Sequence, residues 1–328
     1  MQWLDPMRLL LALPLLLAAC GAVTVEQDEP PPPGPPPPPP PAAPQAPAAS
    51  REVAPATAFA ADTQNPTSPH WVYPGQNGRG AGKLLVFLHG MGGRPSGYAR
   101  FLDHASALGF HVIGLSYWDT SQLAGSGRLD AVCDLDSDGI DAAESGCWGE
   151  AHREMFDGQA TASPFDEPAN VDMQDRLDHL LEYLAATYPA EGWAQFLVDG
   201  HPSWPSIVLA GHSMGAGNAA WIAQRRPVLR LVMLAQPADF VIDGTLSVPA
   251  DWVDDGFSAL SPNAMYGLSH VADTNALHER VLENWSWFGM AADHQLSSDA
   301  PVGDPHSSVA QDEATYGERW TYLLTDGL

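Results

Sequence analysis

The sequence predicts an α/β fold with a mostly parallel central sheet and helices on both faces. Two observations lead to this prediction. Hydrophobic residues make up 45% of the 328 residues, so the chain can bury a sizeable core. Apolar runs of strand length alternate with segments of helical pattern, and turn residues follow each run. This alternation is typical of parallel strands that are covered on both faces.

The strands and helices can be placed one by one. Five apolar runs are predicted strands: residues 84–88, 111–117, 206–210, 229–235 and 264–270. Three segments are predicted helices: 176–188, 216–226 and 312–324. The first helix carries Leu177, Leu180, Leu181 and Leu184 on one face, and the last has an inward stripe of Tyr316, Trp320 and Leu323. Residues 118–173 fit neither period and are too long for a structureless loop, so they are predicted to be an insertion over one edge of the sheet.

The N-terminus has the composition of an export signal. Residues 9–19 form an apolar run too short to cross a bilayer but long enough for a signal-peptide core. The run ends in Leu17-Ala18-Ala19-Cys20-Gly21, which resembles the bacterial lipobox. That resemblance implies that residues 1–19 are a lipoprotein signal peptide, and that Cys20 carries a diacylglycerol anchor to the cell envelope or cell surface. The alternative is a hydrophobic N-terminal helix packed on the domain.

Residues 20–65 are predicted to be a proline-rich disordered stalk. The stretch EPPPPGPPPPPPPAAPQAPAAS cannot bury apolar area and favours extended polyproline geometry. A proline-motif ligand for a partner domain is the other interpretation. The folded domain is then predicted to cover residues 66–328.

Charge and cysteine usage narrow the classes of protein further. A net charge of −26 leaves no basic surface for phosphate backbones, so nucleic-acid binding is disfavoured. With Cys20 set aside, Cys133 and Cys147 remain as an even pair. In a compartment that permits disulfides, we expect these two cysteines to be bonded to each other.

The candidate chemistry centres on Ser213. Gly211-His212-Ser213-Met214-Gly215 matches G-x-S-x-G, with a predicted strand before it and a small-residue helix after it. The amides of that helix point at the serine, so the Met214 N–H can donate to an oxyanion. A second donor is expected from the His89-Gly90-Met91 turn, which directly follows the first of the five predicted strands.

On these two motifs, residues 66–328 resemble the alpha/beta-hydrolase superfamily. The resemblance implies that Ser213 is the nucleophile and that the amides of Met91 and Met214 form the oxyanion hole, with Gly92 as an alternative donor. The family order of serine, acid and histidine implies downstream partners. Asp273, after the strand 264–270, is the predicted acid, with Asp239 as the alternative. His306 is the predicted base, with His294 as the alternative.

An acidic stretch in the insertion resembles part of a calcium loop. Asp134, Asp136, Asp138 and Gly139 match D-x-D-x-D-G, but Ser145 stands where the bidentate glutamate belongs. The three aspartates and the Ile140 carbonyl either hold a structural calcium ion or form a solvated acidic turn. Either way, no cofactor is required for the chemistry.

The expected function is cleavage of a carboxylic ester through an acyl-serine intermediate with a Ser-His-Asp triad. The substrate would be a small-molecule or polymeric ester, and the protein is expected to be a monomer. GHSMG also occurs in lipases, polyester hydrolases, acyltransferases and some peptidases of the superfamily, so acyltransferase or peptidase activity is an alternative. The second alternative is a binding lipoprotein that has the same fold but no catalytic activity.

Overall fold

The structure is a computed structural model that describes residues 45–64, 66–122, 133, 142–159, 171–243 and 246–328. The predicted signal peptide, Cys20 and most of the predicted stalk lie outside the described residues, as do Asp134, Asp136, Asp138 and Ile140 of the predicted calcium loop. None of the helices within the described ranges is long and apolar enough to cross a membrane.

Eight strands form the central sheet, and two small hairpins lie outside it. The strands are β1 (Arg51–Val53), β2 (His70–Tyr73), β3 (Leu84–Leu88), β4 (His111–Leu115), β5 (Leu197–Val198), β6 (His201–Pro202), β7 (Ile207–His212), β8 (Arg230–Leu234), β9 (Phe240–Asp243), β10 (Leu246–Pro249), β11 (Met265–His270) and β12 (Gln295–Ser298). The sheet order is β1-β2-β4-β3-β7-β8-β11-β12, with β5–β6 and β9–β10 as hairpins. The six strands β3, β4, β7, β8, β11 and β12 run parallel, whereas β1 and β2 are antiparallel to their neighbours.

Nine α-helices are found in the described residues. They are α1 (Pro55–Ala58), α2 (Ala99–Ala107), α3 (Ala142–Asp157), α4 (Met173–Thr187), α5 (Met214–Arg225), α6 (Asp251–Asp254), α7 (His278–Trp287), α8 (Pro305–Gln311) and α9 (Glu313–Thr325). All five predicted strands and all three predicted helices are present, with ends that differ by at most three residues from the predicted ones.

The core lies on both faces of the sheet, as the apolar runs predict. Leu84, Val86 and Leu88 of β3 pack on one side with residues of α4 and α5. Leu85 and Phe87 pack on the other side with residues of α2, α8 and α9. Successive side chains of a strand point to opposite faces, so a strand that is apolar throughout needs helices on both. The predicted α/β architecture with a mostly parallel sheet is therefore confirmed.

The sheet begins upstream of residue 66, within the segment predicted to be a stalk. Residues Arg51–Val53 pair with β2 at the edge of the sheet. The segment that joins them to β2 is held by Arg176, whose guanidinium donates to both carboxylate oxygens of Asp62 and to the carbonyl of Pro66. A buried guanidinium needs several acceptors, and these residues supply them.

The predicted insertion contains the long helix α3 and a short 3₁₀ turn at Thr120–Gln122. A disulfide joins Cys133 to Cys147 on α3, with 5.4 Å between their Cα atoms. The predicted disulfide is therefore confirmed.

Candidate active site

Ser213 occupies a strained turn between strand β7 and helix α5. Its φ is 54° and its ψ is −132°, a conformation that residues with a side chain rarely adopt and that costs about 1–3 kcal/mol. The Ser213 amide donates to the carbonyl of Leu234 on the neighbouring strand β8 at 2.9 Å. The turn therefore presents the serine at the carboxyl end of the sheet.

Two glycines make this turn sterically feasible. A Cβ on Gly211 would overlap the carbonyl group of Gly215, and a Cβ on Gly215 would overlap the carbonyl oxygens of Leu88 and His89. In both cases the obstacle is backbone, which cannot rotate away as a side chain can. Glycine is therefore required at both G positions of G-x-S-x-G.

The structure brings His306 and Asp273 together with Ser213. His306 Nε2 lies 2.9 Å from Ser213 Oγ, and His306 Nδ1 lies 2.7 Å from Asp273 Oδ2. A carboxylate can only accept, so Nδ1 of His306 carries the proton and donates it to Asp273. Nε2 is then left as the acceptor for the serine hydroxyl. This is the arrangement in which an imidazole can remove a proton from a serine.

Hydrogen bonds with backbone amides hold Asp273 and His306 in place. Asp273 follows β11 and is buried; its Oδ1 accepts from the amides of Asn275 and Ala276 at 2.8 and 3.1 Å. His306 is the second residue of α8, one helix earlier than the final helix α9. The N-cap Asp304 accepts from the amides of His306 and Ser307. The pKa of Asp304 is lowered, and a hydrogen bond with the side chain of Ser307 is the largest cause.

In the described residues, the amides of the two predicted oxyanion donors have no acceptor, whereas the amide of the alternative donor has one. Within the described part of the chain, neither the Met91 amide nor the Met214 amide donates to an acceptor. The Gly92 amide, by contrast, donates to Asp119 Oδ2 at 3.0 Å. The loop also lies against the serine, because a Cβ on Gly90 would be 3.0 Å from Ser213 Cβ. Met91 and Met214 are thus available to an oxyanion, and Gly92 is engaged elsewhere.

Asp119 and Tyr117 shape this loop, and neither was predicted from the sequence. Both follow strand β4 and are buried. Besides the Gly92 amide, Asp119 accepts from Ser121 at 2.7 Å, and it lies 3.8 Å from Nδ1 of His89. The Tyr117 hydroxyl donates to the His89 carbonyl at 2.6 Å. Their position directly after a central strand is the signal that would have indicated them, since β3 and β4 end at the same edge of the sheet.

The alternative base and the alternative acid lie elsewhere in the fold. His294 precedes β12, so it is at the amino end of the parallel strands, where its Nδ1 contacts the Met265 carbonyl at 3.0 Å. Asp239 pairs instead with His152 of α3 at 2.8 Å. Neither contacts Ser213 or His306 within the described residues.

Tyr98 and His212 were also not identified in advance as site residues. The Tyr98 hydroxyl lies 2.9 Å from His212 Nδ1, and His212 Nε2 lies 2.9 Å from the carbonyl oxygen of His306. Tyr98 and His212 are 114 residues apart in the sequence. No short-range pattern in the sequence indicates such a contact.

A cleft of about 450 Å³ lies apart from these residues, between helices α3, α5 and α6. Its described lining includes Arg153, Arg225 and Arg226 but none of the predicted site residues. In the described ranges, no three histidine, cysteine, aspartate or glutamate side chains are grouped as a metal site would need.

No protein-family model matches this sequence, and no curated protein gives a significant match. The architecture is compatible with an α/β-hydrolase-like fold, which no relative independently supports.

Proposed function

We propose that this protein is a serine hydrolase that cleaves carboxylic esters through an acyl-serine intermediate. The single observation that carries the proposal is the hydrogen-bonded chain from Ser213 Oγ through His306 to Asp273, which starts at a strained serine. A serine hydroxyl is a poor nucleophile until a neutral imidazole accepts its proton. A serine in an ordinary turn needs neither a strained backbone nor a hydrogen-bonded histidine and aspartate.

In the proposed acylation, Ser213 Oγ attacks the ester carbonyl carbon while its proton moves to Nε2 of His306. Asp273 stabilises the resulting imidazolium through Nδ1–H. The negative charge on the carbonyl oxygen is met by the amides of Met91 and Met214, and each such donor is worth about 10²–10³ in turnover. His306 then gives its proton to the departing alkoxide, which leaves as an alcohol and leaves the acyl group on Ser213.

In the proposed deacylation, the same groups act on water. His306 Nε2 takes a proton from a water molecule, whose oxygen attacks the acyl carbon. When the second tetrahedral intermediate collapses, the proton returns to Ser213 Oγ and the carboxylic acid is released. The serine, the base and the acid end each turnover as they began.

We also propose that the protein is exported and anchored by lipid at Cys20. The disulfide between Cys133 and Cys147 supports export, because such bonds persist mainly in oxidising compartments. Globomycin, which blocks cleavage of lipoprotein signals, should cause the uncleaved precursor to accumulate. A mature size that is unaffected by the drug would contradict the lipid anchor.

Hydrolysis of p-nitrophenyl esters tests the proposed activity. Ser213→Ala and His306→Ala should each lower kcat by about 10⁴ or more while circular dichroism shows a folded protein. His294→Ala is the matched control and should retain activity. Short esters, long acyl esters and aminoacyl amides should then be compared, because peptidases use the same triad. Full activity of His306→Ala would contradict the proposed base, and inactivity of the wild type on the whole panel would contradict the proposed function.

A further inference from the structure

His212 lies between the turn that carries Ser213 and the first turn of helix α8, which carries His306. It is the last residue of β7, directly before Ser213, and only 3% of it is exposed. Its Nε2 lies 2.9 Å from the carbonyl oxygen of His306, and the two rings pack with their centroids 4.8 Å apart. A carbonyl oxygen can only accept, so Nε2 of His212 must carry a proton.

Tyr98 completes the hydrogen bonding of His212 from the other side. The Tyr98 hydroxyl lies 2.9 Å from His212 Nδ1. Burial is the main cause that lowers the pKa of His212 to about 3, so the ring is neutral at ordinary pH. A neutral ring with its proton on Nε2 has a lone pair on Nδ1. The Tyr98 hydroxyl therefore donates to Nδ1 and so favours one tautomer of His212.

The series of hydrogen bonds continues from Tyr98 to Gly90, in the loop that contains the predicted oxyanion donor Met91. The Gly90 amide donates to the Tyr98 hydroxyl oxygen at 3.0 Å, and Gly90 directly precedes Met91. Burial raises the pKa of Tyr98 to about 12, so the hydroxyl keeps its proton at ordinary pH. Every hydrogen bond in the chain from Gly90 to His306 thus has a defined direction. These hydrogen bonds join the loop that contains Met91, the end of strand β7 before Ser213 and the first turn of helix α8.

We propose that Tyr98 and His212 are positioning residues for the reaction: Tyr98 selects the Nε2–H tautomer of His212, and that N–H holds the His306 backbone so that its ring stays aligned with Ser213 Oγ. This inference rests on the proposed serine hydrolase activity. In the opposite tautomer, a lone pair on Nε2 would face the His306 carbonyl and repel it. Loss of the Tyr98 hydroxyl would therefore disturb the base without touching Ser213, His306 or Asp273.

Three variants separate positioning from a merely structural role. In Tyr98→Phe, kcat should fall about 10- to 100-fold with little change in KM, because a small misplacement of a reacting group costs rates of that order. His212→Leu removes the donor to His306 and should lose at least as much. His212→Gln can return an N–H at the distance of Nε2 and should recover about tenfold or more of that loss.

Tyr73→Phe is the matched control. Tyr73 is fully buried, and its hydroxyl donates to Asp103 at 2.9 Å, away from these loops. This variant should lower the melting temperature but leave kcat unchanged. Side-chain ¹⁵N NMR of His212 provides a readout that does not depend on turnover: the wild type should show the Nε2–H tautomer, and Tyr98→Phe should reduce its population.

The outcomes distinguish the two proposals. If the wild type is active and Tyr98→Phe has the same kcat as Tyr73→Phe, the positioning inference fails and the proposed function stands. The inference also fails if folded His212→Gln is no better than His212→Leu, or if His212 carries its proton on Nδ1. If the wild type neither hydrolyses esters nor reacts at Ser213, the proposed function fails and the inference fails with it.

Discussion

His152 and Asp239 form a buried pair that joins the insertion to the rest of the domain, with 2.8 Å between His152 Nε2 and Asp239 Oδ2. Trp252 Nε1 donates to the same carboxylate oxygen at 3.0 Å. The other ring nitrogen of His152 contacts Oδ1 of Asn218 on α5. The pair thus connects α3 to the helix that follows Ser213. Asp239 is thereby committed to a structural contact, whereas Asp273 faces His306.

Replacing each of the two aspartates by asparagine should affect a different property: stability at residue 239 and turnover at residue 273. Asp239→Asn should lower the free energy of unfolding by about 1–3 kcal/mol, because a buried donor loses its charged acceptor. Its kcat should stay close to that of the wild type. Asp273→Asn should lower kcat by about 10⁴, because the amide N–H forces the wrong tautomer on His306. Urea unfolding and ester kinetics on both variants check this, and a stable but inactive Asp239→Asn protein would contradict the assignment of the acid.

Alanine at Gly211 should destabilise the protein strongly. The added Cβ would overlap the backbone of Gly215, and backbone cannot move aside. We expect a loss of about 3 kcal/mol or more in the free energy of unfolding, or failure to fold. Gly97→Ala is the matched control, because a Cβ there meets nothing within 4 Å, and its stability should change by less than about 1 kcal/mol. Equal unfolding midpoints for the two variants would refute the steric argument.

Acid should destabilise the protein partly through His70. Burial, followed by the charge of Arg176, lowers the pKa of His70 from 6.5 to about 3. Between these values the unfolded chain binds a proton that the folded protein does not. The stability from neutral His70 is therefore complete above about pH 6.5 and is lost as the pH falls towards 3, by about 1.4 kcal/mol per pH unit.

Asparagine at residue 70 isolates this contribution. His70→Asn keeps an acceptor for the Ser116 amide, which lies 3.0 Å from His70 Nδ1, but does not titrate. Urea unfolding of both proteins between pH 4 and 6 should therefore give a pH slope that is smaller in the variant by about 1.4 kcal/mol per pH unit. Identical slopes would mean that His70 is not held neutral in the folded protein.

The two arginine–carboxylate pairs near the start of the domain should contribute unequally. Arg176 and Asp62 are buried, and Nε and Nη2 of Arg176 each lie 2.9 Å from an Asp62 oxygen. Arg176→Met should cost about 3–5 kcal/mol, because it leaves a buried carboxylate without its partner. In the pair of Arg51 with Glu191, 29% of the arginine side chain is exposed, so Arg51→Met should cost about 0–1 kcal/mol. Similar losses in urea unfolding would contradict this difference.

The central strands could be predicted from local patterns, whereas the grouping of Ser213, Asp273 and His306 was expected from the resemblance to alpha/beta-hydrolases. The apolar runs of β3, β4, β7, β8 and β11 are buried on both faces, so composition alone marks them. Asp273 and His306 were predicted from the order of serine, acid and histidine that the resemblance implies, together with their places after a strand and before a helix. The edge strand β1 has only three residues and follows a proline-rich segment of the sequence, so no periodic pattern distinguishes it from that segment.

The contacts around Ser213, Asp273 and His306 could not be predicted in the same way. Tyr98 meets His212 across 114 residues, and His152 meets Asp239 across 87. Such contacts depend on how helices and loops dock at the edge of the sheet. For a side chain in a loop or on an insertion helix, no periodic pattern in the sequence indicates which distant residue it contacts. Asp119 is intermediate, because its place after β4 puts it at the edge where Ser213 also lies.

The central claim is that Ser213 is a nucleophile activated by His306. Labelling with a fluorophosphonate, followed by peptide mapping, tests it most directly, because only an activated serine reacts readily. We predict one adduct on the peptide containing Ser213. It should be absent in Ser213→Ala, at least about 100-fold slower in His306→Ala, and unchanged in His294→Ala. No adduct on Ser213 in the wild type, or labelling that persists at the wild-type rate in His306→Ala, would contradict the claim.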